Sequence, residues 1–201
     1  MAAKRKPLAD GEVHARAAAQ LLGAMHTVKA ARFNAAERFE RKHMLSQFAL
    51  SLVSLYFVGL SVWQAVYAQQ IDAETNRLVT LVSIMSSVFT LVLALIESMN
   101  DYRMKAHLMH ECALAVNDLY HELKLAPRPD TALVQEFRRR YNDVVRSCPF
   151  NHGRVDYLLV RAERNVPMRE KVWARLRYAS DVYALYGVCL LAPPLVLLLH
   201  R

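Results

Sequence analysis

The sequence contains few glycines and cysteines and lacks the short motifs that mark common enzyme classes. Five glycines in 201 residues are few for a sheet protein with many tight turns. The three cysteines show no Cys-x-x-Cys spacing, so neither a disulfide framework nor a zinc site is indicated. No glycine-rich phosphate loop, His-Glu-x-x-His site, nucleophile elbow or Ser-His-Asp order occurs, so enzymatic chemistry has no positive support.

The residues that are abundant favour helices and a membrane. Ala, Leu, Arg and Glu are frequent, which predicts an all-α protein. A net charge of +8 with 54% apolar residues suits one helical unit that includes lipid-facing segments. The basic excess fits nucleic-acid contact or a cytoplasmic membrane surface, and the Arg and Lys residues cluster beside the apolar runs. We therefore expect a bilayer partner, and we rank nucleic-acid binding through Arg138–Arg140 and Arg146 last.

Three long stretches carry no charged residue. Residues 44–68 and 78–96 are each long enough to cross a bilayer, which needs about 20 residues. Residues 182–199 reach the lower limit, although Pro193 and Pro194 would kink or break that helix near its far end. We expect a third span there; a re-entrant or cytosolic core helix is the alternative. The first apolar run begins only near Met44, so no secretory signal peptide is expected.

The charges that flank these stretches predict the topology. Positive residues precede the first span and follow the second, whereas the connection at 69–77 holds one Arg against Asp72 and Glu74. We therefore expect an inner-membrane protein with a cytoplasmic N-terminus, an external connection and an external C-terminus. The remaining segments are predicted as a mobile basic tail (1–11), a cytoplasmic amphipathic helix (12–43) with Arg38 on its exposed face, and a cytoplasmic helical region (97–181).

Two stripes run along the second span and its extension. An apolar four-three alternation from Leu81 to Leu123 predicts one unbroken helix to about Leu123, packed by that face along the first long helix. Small and hydroxylated residues lie nearly opposite. This second stripe, with acidic residues at its cytoplasmic end, comprises Thr80, Ser83, Ser87, Thr90, Ala94, Glu97 and Asp101. It fits close helix packing or the lining of a pore in a homo-oligomer, and these two interpretations are compatible.

A polar and aromatic turn lies in the cytoplasmic region. Its candidate residues are Tyr141, Asn151, His152, Asp156 and Tyr157. Asn151 could cap the following helix, and His152 and Asp156 could pair across one turn. The turn is interpreted either as a structural element or as a site that senses a ligand or partner. A metal site is not predicted, because His107 and His110 lack a third ligand at suitable spacing.

The order of these parts resembles the SLATT family over about residues 15 to 180. The resemblance rests on the long N-terminal helix, the two-span hairpin, Asp118-Leu119-Tyr120, Arg140-Tyr141, Asn151-His152 and Asp156-Tyr157. SLATT proteins are bacterial two-transmembrane effectors found beside nucleotide second-messenger synthases or nucleotide-sensing domains. The resemblance implies an antiphage effector without a cofactor, which permeabilises the inner membrane when triggered by a messenger, a partner sensor or a phage component. The alternative is a non-conducting membrane scaffold that docks a cytosolic partner.

Overall fold

A computed structural model describes residues 10–127, 130–163 and 166–199. Most of the predicted basic tail, residues 1–9, lies outside the described residues. The described chain forms six helices and no strand, which confirms the all-α prediction. The helices are α1 (Asp10–Val66), α2 (Ala73–Asn100), α3 (Tyr102–Leu125), α4 (Thr131–Ser147), α5 (Arg154–Glu163) and α6 (Met168–Leu199).

The described residues divide into two compact units, and α1 and α6 contribute to both. The polar unit consists of residues 10–38 and 104–178, and the apolar unit consists of residues 39–103 and 179–199. The polar unit contains an apolar core between α1, α3 and α4. The buried members of this core are Met25, Cys112, Val116, Leu119, Leu123 and Phe137.

The predicted unbroken helix from the second span to Leu123 is wrong, because the chain turns at Asp101. Asp101 adopts the left-handed conformation, with φ 42° and ψ 54°, and its backbone N–H donates to the Ser98 carbonyl. Asp tolerates this conformation better than most residues, since its short polar side chain can bond locally. The turn ends α2 at Asn100, and α3 begins one residue after Asp101.

The prediction that one apolar stripe packs along its whole length is right for α3 and wrong for α2. In α3 the stripe residues Met109, Ala113 and Val116 are fully buried. In α2 the stripe residues are between 48% and 86% exposed: Leu81, Met85, Val88, Val92, Leu95 and Met99. Hydrocarbon solvates such side chains as well as a protein core does, so nothing drives their burial in a membrane segment.

The apolar unit holds the helical hairpin. Among the described residues, two helical stretches are long and apolar enough to cross a membrane, Gly11–Val66 and Ala73–Leu125. In the most apolar 18-residue segment of each stretch, only 17% of the first and 6% of the second is buried. The core helix of a soluble protein is mostly buried. The chain is therefore an all-α membrane protein. The third span predicted at 182–199 is not among these two and stays a prediction.

The non-helical loop of the hairpin lies within and just before the connection predicted at 69–77, whose membrane boundaries stay a prediction. Helix α1 ends at Val66, and α2 already begins at Ala73. The Asp72 side chain caps α2 by accepting a hydrogen bond of 2.9 Å from the Thr75 backbone N–H. This cap extends the helix toward α1, which brings Asn76 within hydrogen-bond distance of Gln64.

Candidate functional sites in the two units

Glu97 is the one predicted site residue of α2 that the structure buries. Its side chain lies in the apolar unit and the residue is only 7% exposed. The Tyr186 hydroxyl, on α6, donates to a Glu97 carboxyl oxygen over 2.9 Å. Burial of a carboxyl group costs free energy unless hydrogen bonds compensate, and Tyr186 supplies such a bond. In this conformation Glu97 is therefore held inside the chain and does not face water.

The polar stripe of α2 forms hydrogen bonds mostly within its own hairpin. The Thr80 hydroxyl accepts from Gln64 Nε2 and donates to the Asn76 carbonyl, each over 2.8 Å. The hydroxyls of Ser87 and Thr90 donate to backbone carbonyls within α2, over 2.8 Å each. The bonds of Ser87 and Thr90 stay within one helix, so close helix packing stays a prediction. Pore lining in an assembly also stays a prediction.

The other residues of this stripe differ in exposure. Ser83 and Ala94 are half-buried, and the Ser83 hydroxyl oxygen is covered with no hydrogen-bond partner among the described residues. Asp101, at the end of the stripe, is exposed. The stripe therefore turns toward covered surface at Ser83, Ala94 and Glu97, while the apolar stripe on the other side of α2 is open.

The sequence analysis did not identify the contacts that hold α6 within the apolar unit. Besides the bond from Tyr186, Asp181 forms an ion pair of 2.9 Å with Lys42 of α1. Val182, Tyr186 and Cys189 are buried, with at most 9% exposure, and recur at threes and fours along α6. This spacing was visible in the sequence, and it indicated a packed helix face.

In the polar unit, Asp156 pairs with Arg38 and not with His152. Two bonds join the guanidinium and the carboxylate: Nε to Oδ1 over 2.8 Å and Nη2 to Oδ2 over 3.0 Å. Asp156 is completely buried and Arg38 is 8% exposed, so the expectation that Arg38 lies on an exposed face is wrong. The expected His152–Asp156 pair is replaced by a bidentate geometry that imidazole cannot provide.

The cap of α5 also differs from the prediction. Asn151 was expected to cap this helix, but its side chain accepts from the adjacent His152 backbone N–H over 3.0 Å. Asp156 instead accepts from the Gly153 backbone N–H over 2.8 Å, which is half of a capping box. A Cβ at Gly153 would lie 3.3 Å from both Arg38 Nη2 and Asp156 Oδ2. Glycine therefore gives the ion pair room at this position.

A second arginine, Arg32, lies buried in the polar unit. It is 2% exposed, and its Nη1 donates to the Cys112 sulfur over 2.8 Å. Its Nε is buried without a hydrogen-bond partner among the described residues, and so is the Nδ1 of His152. Burial lowers the pKa of His152; the Arg32 charge lowers it further, and Asp156 partly opposes both. His152 is therefore held neutral near a cation.

The remaining groups near Arg32 are held in their neutral forms. Burial is the main cause that raises the pKa of Cys112 to about 11, although the Arg32 charge acts against it. Burial also raises the pKa of Tyr141, with Arg32 again opposing. A thiol with so high a pKa is a poor nucleophile at neutral pH. The cluster of Arg32, Cys112, Tyr141 and His152 can therefore donate hydrogen bonds and supply the positive charge of Arg32, but it offers no activated nucleophile.

Of the five residues predicted in the polar turn, three converge and two do not. Tyr141, His152 and Asp156 surround the two buried arginines, whereas Asn151 is exposed. Tyr157 is 47% exposed and lines a separate cleft of about 260 Å³. The other residues that line this cleft are Thr27, Val160, Arg161 and Val166. Both arginines of α1 were missed as members of the site.

Comparison with known protein families agrees with this architecture. The family described as SMODS and SLOG-associating 2TM effector domain family 5 matches residues 15–199, which include α2 to α6 and nearly all of α1. The chain belongs to the SLATT family. This SLATT protein carries the two membrane-spanning stretches that the family description implies, within an effector domain that covers almost the whole chain. No curated protein and no solved structure matches it.

Proposed function

We propose that this SLATT protein is a membrane effector of a bacterial antiphage system, which oligomerises and permeabilises the inner membrane when triggered. The observation that carries the proposal is the buried Glu97 in the apolar unit. Glu97 directly follows the second uncharged run, and an ionisable residue buried at the end of a membrane span is costly and marks functional positions by default. In the described conformation, the hydrogen bond from Tyr186 offsets the cost of burying the Glu97 carboxyl group, and we interpret this conformation as the resting state.

Conduction requires a different arrangement of the α2 polar stripe. A single hairpin cannot enclose water, so several copies must turn Ser83, Ser87 and Thr90 toward a shared axis. Glu97 would then leave Tyr186 and ring the cytoplasmic mouth of the conduit. The exposed apolar stripe would stay in lipid in both states, since its side chains gain nothing from burial there.

The trigger that we propose acts on the polar unit. Its sources are a nucleotide second messenger, a sensor or synthase encoded alongside, or a phage component. Binding to one of two conformations shifts the population toward that conformation in proportion to the difference in affinity. In the proposed topology, the polar unit lies in the cytoplasm and the connection at 67–72 lies outside. Residues 182–199 form a third span that leads to an external C-terminus.

The test measures ion flux through lipid vesicles that contain the purified chain. Tyr186→Phe removes the hydroxyl that holds Glu97, so we expect a higher basal flux than in the wild type. Tyr183→Phe is the matched control, because Tyr183 lies on the same helix but is 44% exposed. We expect Glu97→Gln to weaken cation preference. Flux that is absent from every variant under activating conditions would contradict permeabilisation and favour the scaffold, which leaves the membrane potential intact.

Topology is tested separately in intact cells. A cysteine placed beside Arg201, in a chain without the three native cysteines, should react with a membrane-impermeant reagent if the C-terminus is external. Cysteines at Asp72 and at Asn142 are the matched positive and negative controls, since the proposal assigns them to opposite sides. Labelling of the Asn142 position and protection of the Asp72 position would invert the orientation.

A further inference from the structure

Arg32 is a buried cation with an incomplete set of partners. The residue is 2% exposed, and no ion pair to it is found among the described residues. Removal of a guanidinium from water is costly unless an anion and hydrogen bonds compensate, and burial near a second cation increases that cost. Its partner, the Cys112 thiol, is a weak acceptor that stays protonated at neutral pH. A bound anion would therefore lower the cost of burying Arg32.

The one buried carboxylate in the cluster is already engaged. Asp156 accepts two hydrogen bonds from Arg38 and one from the Gly153 backbone N–H. The pair of Arg38 and Asp156 is neutral as a whole, so the charge of Arg32 remains. His152 is neutral, so it adds no charge of its own but offers a ring nitrogen. The buried cluster thus carries one uncompensated positive charge.

Two buried nitrogens of this region have no acceptor among the residues that the structure describes. One is Nε of Arg32, and the other is Nδ1 of His152, which donates in its Nδ1–H tautomer. The charge of Arg32 acts on His152, and the Arg38–Asp156 pair lies beside Gly153, the residue that follows His152, so the two nitrogens belong to one buried region. The Tyr141 hydroxyl is a third donor within reach of the same charge. A guanidinium, an imidazole and a phenol together form a donor set suited to an oxyanion.

We propose that Arg32 and His152 form a binding site for a phosphate group in the polar unit. Binding at this site does not depend on whether the protein forms a pore. A phosphate group offers several acceptor oxygens at once, so it can accept from both nitrogens and from Tyr141, whereas chloride offers no such geometry. The group can arrive as the free ion or as the phosphoryl group of a larger molecule such as a nucleotide or a lipid headgroup.

We expect access to the site from the side of His152. This residue is half-buried, whereas Arg32 is only 2% exposed. Residues 151–153 connect α4 to α5, and Gly153 is held by bonds from the Asp156 and Tyr157 backbone N–H groups to its carbonyl, so access depends on the His152 side chain and not on movement of the backbone. Rotation of the His152 side chain would expose the guanidinium to an incoming phosphate group, and the ring would then donate to the same group.

The experiment titrates the purified full-length chain in detergent with inorganic phosphate at constant ionic strength, and follows its apparent Tm and the heat of binding. We expect saturable binding and a rising Tm for the wild type, because a ligand of the folded state stabilises it. Arg32→Met should weaken phosphate binding by about tenfold or more, since it removes a charged hydrogen-bond donor. Arg138→Gln, which removes an exposed arginine of the same unit, should bind phosphate as the wild type does.

A second pair of variants keeps the test decisive if Arg32→Met does not fold. His152→Leu removes the ring donor, while His152→Asn places an amide N–H near the former Nδ1 position. We expect weakened binding in the first variant and restored binding in the second. Equal phosphate affinity in all four variants, or an equal effect of chloride, would overturn the site. Adenosine monophosphate and glycerol phosphate as further titrants distinguish a nucleotide source from a lipid headgroup, since the tighter ligand identifies the source.

Discussion

Substitution of Asp156 by Asn should destabilise the polar unit far more than its small change in size suggests. The carboxylate accepts from Arg38 Nε through Oδ1, and from Arg38 Nη2 and the Gly153 N–H through Oδ2. An amide has one oxygen and one NH2 group. Whichever way the Asn side chain turns, its NH2 group meets at least one N–H donor, and the Arg38 charge loses its counter-ion.

The magnitude follows from the burial of both partners. Asp156 is completely buried and Arg38 nearly so, and removal of one member of a buried ion pair costs about 3–5 kcal/mol. For a chain of 150–250 residues, each 1 kcal/mol lowers Tm by about 2–4 °C. Asp156→Asn should therefore lower the apparent Tm by about 10 °C, as measured by circular dichroism of the detergent-solubilised chain.

The matched control is Asp118→Asn, because Asp118 is an exposed residue of α3 in the same unit. We expect Tm of this variant to stay within about 2 °C of the wild type, as surface changes usually cost under 0.5 kcal/mol. In the double variant Arg38→Met/Asp156→Asn the two losses should not add, since neither partner is left charged and buried. Equal Tm values for Asp156→Asn and Asp118→Asn would refute the stabilising role of the ion pair.

Two further predictions concern the polar unit. The pKa of His152 is lowered from 6.5 in the folded chain, so the unfolded state binds the proton more readily. The contribution of His152 to stability should therefore be full above pH 6.5 and should fall as the pH drops below it. Urea unfolding of His152→Asn between pH 7 and 5 should lack this part of the decrease, and a pH dependence identical to that of the wild type would contradict the assignment. Asp130 caps α4 by accepting a hydrogen bond of 2.8 Å from the Leu133 backbone N–H. Asp130→Ala should therefore lower the free energy of unfolding in urea by about 1 kcal/mol, and Asp130→Ser should recover most of this loss. Equal losses of stability in both variants would exclude the cap.

The sequence predicted the helices well where local signals and composition coincide. The predicted bounds of α4 agree with the structure, because Asp130 begins the helix and Pro149 follows its end. The two uncharged runs predicted the hairpin, because a helix needs about 20 consecutive apolar residues to cross a bilayer. The turn at Asp101 was missed, since the apolar four-three pattern continues across it. Only the pair Asn100-Asp101, two residues that tolerate the left-handed region, indicated a turn.

The candidate site was predicted only from the part formed by α4, α5 and the turn between them. Tyr141, His152 and Asp156 were identified, but both arginines were missed. Arg32 and Arg38 lie about 120 residues before this turn, on a helix whose basic residues usually face water. For Arg32 the sequence held a signal, because Arg32 fills the position between Val28 and Ala35 in the four-three pattern of the apolar face of α1. For Arg38 only tertiary packing shows that the side chain turns inward, since a basic residue near the end of an amphipathic pattern usually faces water.

The two units are stabilised by different forces, and this difference bears on where the effector can change shape. The polar unit has an apolar core around Met25 and Val116, so opening it in water exposes apolar surface at roughly 25 cal/mol per Å². The apolar unit gains no such free energy from burial if lipid surrounds it. Its helices are joined by a few hydrogen bonds and ion pairs, such as the hydrogen bond from Tyr186 to Glu97. Hydrogen bonds between membrane helices contribute only about 0.6–2 kcal/mol each. Under the proposed mechanism, a trigger that binds the polar unit would therefore need only modest differential affinity to change the contacts of α2 and α6.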